Sequence, residues 1–254
     1  MVAEKFKHKE AGKEKEISKY GLIKEDKIKD KVFKSTSILK YIKKFKIEKE
    51  KIEFIKKLNK RNISIEFDKN AIEALKSFMS DTSTTKLNSL DKDTRLLLLN
   101  AQIHNSFDFK YKLHSTMKHF NGDQTLIHFL VHESLGHYPQ HIDFILNLLD
   151  NGMNYRSSDD QVYLIPYVFS ECLGDTYQNF KKLAKYIKNG KLDLSYRNSK
   201  GENFFQAMIH NPHRYSYYLE NNEKDFIKIF NEILVPNYLN DEKLLSELTK
   251  FLYN

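Results

Sequence analysis

Thr125-Leu126-Ile127-His128-Phe129-Leu130 begins with a helix-capping residue and continues with apolar residues. Asp123 lies two positions before it. A threonine at the start of a helix accepts a hydrogen bond from a backbone N–H that has no partner within the helix. The stretch therefore predicts that an apolar helix begins at Thr125.

Two later segments fall into the same frame. Val162-Tyr163-Leu164-Ile165-Pro166-Tyr167 follows Asp160 by two positions, and Asn203-Phe204-Phe205-Gln206-Ala207-Met208 follows Gly201 in the same way. The upstream segment Thr94-Arg95-Leu96-Leu97-Leu98-Leu99 fits the frame more loosely. Self-similarity at a spacing of about 20–50 residues is typical of repeat proteins.

A second apolar helix is predicted after each of these starts. The four second helices span residues 109–120, 142–149, 180–187 and 226–234. The predicted repeating unit is therefore a helix pair followed by an extended connection.

These segments resemble ankyrin repeats, whose unit of about 33 residues opens with the pattern TPLHxA. Thr125 and His128 match that pattern, whereas Leu126 stands in place of the usual proline. The second helix closes as Leu148-Leu149-Asp150-Asn151-Gly152, and Asp193 to Asn203 is similar to the finger that connects ankyrin repeats. The sequence departs from the pattern where Val162 and Asn203 replace Thr, and where Ile165 and Gln206 replace His.

The resemblance implies an all-α fold, an ankyrin-like solenoid of helical hairpins that binds another protein and needs no cofactor. Fingers of neighbouring repeats line one edge of such a solenoid, and Tyr and Arg are enriched at the residues that dominate interfaces. We therefore predict a partner-binding edge that contains the finger residues Tyr155, Arg156, Asp159, Tyr196, Arg197 and Lys200.

The flanks of the repeats are predicted to be helical caps, because a solenoid otherwise exposes an apolar face at each end. An amphipathic helix is predicted over residues 37–58, and a second one follows Asp68, a suitable N-cap. The predicted organisation is a flexible basic tail (1–20), an N-terminal helical cap (21–85), three to four repeats (86–235) and a C-terminal capping helix (236–254).

The composition agrees with helices and excludes a disulfide-stapled scaffold. The chain has only 8 Gly and 4 Pro among 254 residues, and a single Cys cannot form an internal disulfide. The net charge of +8 is concentrated at the N-terminus, since residues 1–60 contain 20 Lys and 10 acidic residues. A basic membrane- or nucleic-acid-binding function is therefore an alternative for this region, through Lys40, Lys43 and Lys44.

No motif points to catalysis or to a metal. His132 and His137 are five positions apart, which is wrong for a zinc-binding HExxH helix, and His128 is explained as a structural residue of the repeat. Nothing in the spacing pairs Cys172 with His210 or His213 as a nucleophile and base. The alternative of an enzyme centred on the N-terminal helices or the His-rich loop stays open without a named reaction.

The chain shows no signal peptide and no transmembrane stretch, so we expect a protein that is cytoplasmic or exported by a dedicated secretion system. We also expect a monomer. Asp241, Glu242 and Glu247 precede Phe251 and Leu252 near the C-terminus. This order is similar to the tails of type IV secretion substrates in intracellular bacteria. The resemblance therefore implies a bacterial effector that binds a host protein.

Overall fold

The computed structural model divides the chain into two compact units. Unit 1 comprises residues 1–129 and 151–158, and unit 2 comprises residues 130–150 and 159–254. Residue 85, where the sequence predicts a boundary, lies within unit 1. The structure describes residues 5–10, 13–18, 32–81, 84–104, 109–113, 116–120, 124–129, 142–159, 162, 176–204, 206–207, 223–229, 231–232, 235–238, 242–243, 245–246 and 249.

Unit 1 begins with an antiparallel hairpin where a flexible tail was predicted. Strand β1 (Lys5–Glu10) pairs with β2 (Lys13–Ser18). The register places Lys7 opposite Glu16 and Lys9 opposite Glu14.

Three short parallel strands lie at the centre of unit 1. They are β3 (Val32–Lys34), β4 (Ser64–Glu66) and β5 (Gln102–Ile103), in that spatial order. Phe33, Ile65 and Ile103 form a row across the sheet, and all three are fully buried. Most described residues are helical, as the all-α prediction requires, but that prediction missed this sheet.

The connection from β3 to β4 is a pair of helices. α1 (Ser35–Ile42) and α2 (Glu48–Lys60) replace the single helix predicted over residues 37–58. The rings of Tyr41 and Phe54 have centroids 4.8 Å apart, and Phe45 packs 5.7 Å from Phe54. In one continuous helix Tyr41 and Phe54 would be separated by about 20 Å, so the aromatic contacts require the break.

The connection from β4 to β5 contains three helices, α3 (Lys69–Asp81), α4 (Thr85–Ser89) and α5 (Lys92–Asn100). The predicted cap at Asp68 is confirmed, because its Oδ1 accepts a hydrogen bond from Ala71 N at 2.8 Å. Asp91 caps α5 in the same way through Asp93 N and Thr94 N. Thr94 lies within α5, which leads through Ala101 into β5.

Residues 109–120 form a second hairpin rather than the predicted helix. Strand β6 (Phe109–Leu113) pairs antiparallel with β7 (Thr116–Phe120). In β6 apolar residues alternate with Lys110 and Lys112, a two-residue period that is typical of strands. The helix prediction weighed the apolar content and overlooked this alternation.

The helix predicted to begin at Thr125 is confirmed. Thr125 is the N-cap of α6 (Leu126–His128), and its Oγ1 accepts a hydrogen bond from His128 N at 3.2 Å. Beyond residues 151–152, a 3₁₀ turn (Tyr155–Ser157) completes the described part of unit 1.

Unit 2 contains two of the predicted second helices at nearly the expected positions. They are α7 (Ile142–Asp150) and α8 (Thr176–Lys188). α9 (Glu223–Ile229) and α10 (Val235–Tyr238) follow, and residues 242–243, 245–246 and 249 are helical within the predicted C-terminal cap. The apolar residues Leu244, Leu248, Phe251 and Leu252 lie outside the described residues.

Candidate functional site

The predicted binding edge falls in both compact units. Tyr155 and Arg156 belong to the 3₁₀ turn of unit 1, where Arg156 is half-buried. Asp159, Tyr196, Arg197 and Lys200 belong to unit 2, where Lys200 is exposed and the other three are half-buried. The candidate surface of each unit is therefore described by itself.

The surface in unit 2 is built around a tight turn, residues 198–202, which we call the 198–202 turn. Asn198 N donates to Glu202 O at 2.9 Å, and Gly201 N donates to Asn198 O at 3.0 Å. The Asn198 side chain accepts hydrogen bonds from Lys200 N and Glu202 N through Oδ1. Gly201 has a φ of +79°, a left-handed conformation that favours glycine.

Arg197 connects this turn to the helical residues 204 and 206–207 that follow it. Its Nη1 donates to Gly201 O and to Gln206 Oε1, both at 2.9 Å. Asn203 and Gln206 form a reciprocal capping pair, because Gln206 N donates to Asn203 Oδ1 and Asn203 N donates to Gln206 Oε1. Asn203 thus performs the capping role of the threonine that it replaces in the predicted frame.

Asp159 joins the same surface from an earlier part of the chain. Its Oδ2 accepts a hydrogen bond from Ser199 Oγ, next to Lys200 in the turn. The preceding segment is equally ordered, since Asp193 Oδ1 accepts hydrogen bonds from Ser195 N and Ser195 Oγ. Asp159 and Lys200, which are distant in sequence, therefore belong to one surface.

In unit 1, Arg156 follows a network of asparagine side chains. Asn100, which is 1% exposed, donates through Nδ2 to Gly152 O at 2.8 Å and accepts from Asn154 N through Oδ1 at 2.7 Å. Asn154 Oδ1 in turn accepts a hydrogen bond from Arg156 N at 2.9 Å. The network therefore fixes the backbone at Arg156.

Asn59, near the end of α2, makes a similar set of hydrogen bonds. Its Oδ1 accepts from Gln102 N at 2.9 Å, and its Nδ2 donates to Asn100 O and Ser157 O, both at 2.8 Å. Sequence reasoning missed both asparagines. Both asparagines follow a leucine near the end of a helix, as Leu58-Asn59 in α2 and Leu99-Asn100 in α5. This shared pair is the sequence feature that could have identified them.

A charged cluster joins α7 to α8 within unit 2. Asp150 accepts hydrogen bonds from Tyr186 Oη at 2.8 Å and from Lys191 Nζ at 3.0 Å. Partial burial alone would raise the pKa of Asp150, but these bonds outweigh burial and lower it below its ordinary value. Burial and the Asp150 carboxylate together raise the pKa of Tyr186 to about 12.

Among the described residues, no group of three or more His, Cys, Asp and Glu side chains is arranged to hold a metal ion. Within the same part of the chain, no helix has the length and apolar character needed to span a bilayer. The residues His132, His137, Cys172, His210 and His213 lie outside the described residues.

The lysines of the alternative basic site are exposed. Lys40 lies in α1, and Lys43 and Lys44 follow it in the turn that leads to α2. Lys51, further along, is instead half-buried and forms an ion pair with Asp93 at 2.6 Å.

Comparison with known proteins identifies no relative. The chain matches no protein-family model, no curated protein and no solved structure. The resemblance to ankyrin repeats therefore stays a prediction for residues 86–235.

Proposed function

We propose that this protein is a protein-binding module whose contact surface includes the 198–202 turn and Asp159. The proposal extends to an ankyrin-like solenoid. Its support is that helices followed by an extended strand occur twice in unit 1, as α1 and α2 before β4 and as α4 and α5 before β5, and that α8 packs against both α7 and α9 in unit 2. The wider proposal of a bacterial effector acting on a host protein rests on the C-terminal sequence pattern and the Lys-rich composition.

The observation that carries the proposal is an ordered turn with an exposed tip. The turn is held because the side chains of Asn198 and Asp159 accept hydrogen bonds and Arg197 donates one, while Ser199 and Lys200 are exposed. A loop that is already ordered loses little conformational entropy on binding, so each contact contributes more to affinity. Short ordered turns of this kind suit the recognition of a protein surface.

Lys200 and Arg197 require different treatment in an experiment. Arg197 supports the turn through two hydrogen bonds, so its removal would disturb the turn as well as the surface. The side chain of Lys200 is exposed, and its replacement leaves the hydrogen bond from Lys200 N to Asn198 in place. Lys200 is therefore the cleaner probe.

The test places a photo-crosslinking amino acid at position 200, with position 188 as the matched control. Both lysines are exposed and both belong to unit 2. We expect a defined cross-linked partner from position 200 and none from position 188. Lys200→Glu should then weaken binding of that partner at least about fivefold, whereas Lys188→Glu leaves it unchanged. Equal cross-linking from both positions would remove the turn from the binding surface.

A further inference from the structure

The turn between α1 and α2, residues 43–47, exposes an isoleucine among lysines. Ile47 is 60% exposed, which makes it the most exposed large apolar side chain among the described residues. Lys40, Lys43, Lys44, Lys46 and Lys49 surround it in sequence and are all exposed. We call these lysines together with Ile47 the α1–α2 tip.

The backbone of this tip is ordered. Lys43 N donates to Leu39 O at 3.0 Å, Phe45 N donates to Ile42 O at 3.0 Å, and Glu50 N donates to Ile47 O at 3.1 Å. Phe45 also packs on Tyr41, with ring centroids 5.5 Å apart. Ile47 is therefore held outward by a fixed turn, at the N-cap position of α2.

Several acidic residues lie near the tip, and a lysine of α5 neutralises one of them. Glu48 forms an ion pair with Lys92 at 2.6 Å. Partial burial opposes the lowered pKa of the Asp91 carboxyl, hydrogen bonds from Thr94 lower it, and Lys43 lies close enough to lower it further. Glu50, which is exposed, and Glu53, which is half-buried, also lie on α2. The five exposed lysines nevertheless leave the tip positive.

We propose that the α1–α2 tip binds the surface of an anionic phospholipid membrane, with the lysines at the headgroups and Ile47 inserted at the boundary of the acyl chains. An exposed apolar side chain among lysines suits this boundary, where charge attraction and apolar burial act together. Nucleic acid would use the lysines but would leave Ile47 in water. The tip also contains no arginine, the side chain that binds phosphate through a bidentate fork.

The first experiment measures co-sedimentation of the full chain with phosphatidylcholine vesicles, with and without 30% phosphatidylserine, at about 0.15 M salt. We expect binding only to the vesicles that contain phosphatidylserine. Replacing Lys43, Lys46 and Lys49 together with Gln should weaken binding about a hundredfold, since each lysine near an anionic surface contributes about fivefold. Ile47→Ser should weaken it about tenfold.

The matched control replaces Lys181, Lys188 and Lys224 with Gln. These lysines are exposed in unit 2, so the control changes the net charge by the same amount. It should bind as the wild type does. Absence of wild-type binding, or an equal loss in the control, would overturn the proposal.

The second experiment uses the absence of tryptophan from the sequence. In Ile47→Trp the new side chain is the only indole in the chain, so its emission reports position 47 alone. We expect a blue shift on vesicles with phosphatidylserine and none on duplex DNA. Vesicle binding without a blue shift, or DNA binding of equal strength at the same salt, would overturn the assignment to lipid.

Discussion

At the scale of single residues, two asparagines stabilise unit 1 more than their sequence context suggests. Asn59 and Asn100 each use a side-chain amide both to donate and to accept hydrogen bonds with the backbone of a distant segment. A buried polar group is favourable only when its donors and acceptors are satisfied. These amides therefore hold together backbone segments that are distant in sequence.

We expect Asn100→Ala to lower the free energy of unfolding by about 2–4 kcal/mol, because Asn154 N–H and Gly152 O lose their partner. Asn100→Asp should also destabilise unit 1, since a carboxylate cannot donate to Leu96 O or Gly152 O. Urea denaturation followed by circular dichroism measures both effects.

The control for this prediction is Asn70→Ala. Asn70 is exposed on α3, so its replacement should change the stability by no more than about 0.5 kcal/mol. An Asn100→Ala protein as stable as the Asn70→Ala protein would show that the amide network contributes nothing.

At the scale of elements, the Asp150, Tyr186 and Lys191 cluster links α7 to α8 and makes that junction sensitive to acid. The pKa of Asp150 is lowered in the folded state. A carboxyl of this kind contributes stability above its unfolded pKa and loses that contribution as the pH falls through its folded pKa. The sensitive window therefore lies below about pH 4.

We expect Asp150→Asn to lower the free energy of unfolding at pH 7 by less than about 1 kcal/mol, because the Asp150 carboxylate is largely exposed. The difference from the wild type should shrink as the pH falls from 5 to 3. Denaturation at pH 7, 5 and 3 measures it, and Asp143→Asn on the same helix provides the comparison. A difference that stays constant over this range would contradict the prediction.

The helix boundaries show which features a local sequence pattern is sufficient to predict. Asp68 and Thr125 cap their helices as predicted, because an N-cap depends on residues within three positions. The break between α1 and α2 was not predictable in this way, because the Tyr41 and Phe54 rings that require it come from two different helices.

At the scale of the whole molecule, residues 151–158 belong to unit 1 although residues 130–150, in unit 2, separate them from it in sequence. They supply Gly152 O, Asn154 N and Ser157 O to the asparagine network. A fragment without them would leave Asn59 and Asn100 with fewer partners.

We expect a fragment of residues 1–158 to melt at least about 5 °C above a fragment of residues 1–150, because the longer fragment keeps those hydrogen bonds. The two differ only in the segment that completes unit 1. Thermal unfolding followed by circular dichroism provides the measurement, and equal melting temperatures would refute the role assigned to residues 151–158.

The candidate surface in unit 2 combines a turn that the local sequence predicts with a contact between residues distant in sequence. Gly201 and the Asp193 to Asn203 pattern were enough to locate the turn, because the turn closes on itself within a few residues. Its contact with Asp159 joins residues far apart in sequence. Only the fold brings that carboxylate to the turn.

The sequence by itself determined the helix caps at Asp68 and Thr125 and the helices α3, α7 and α8, since each depends on nearby residues. The tertiary structure alone decided the parallel row of Phe33, Ile65 and Ile103 and the asparagine network. Parallel strands and side-chain amides find their partners across long stretches of chain. The identity of those partners follows from packing, which a local pattern does not specify.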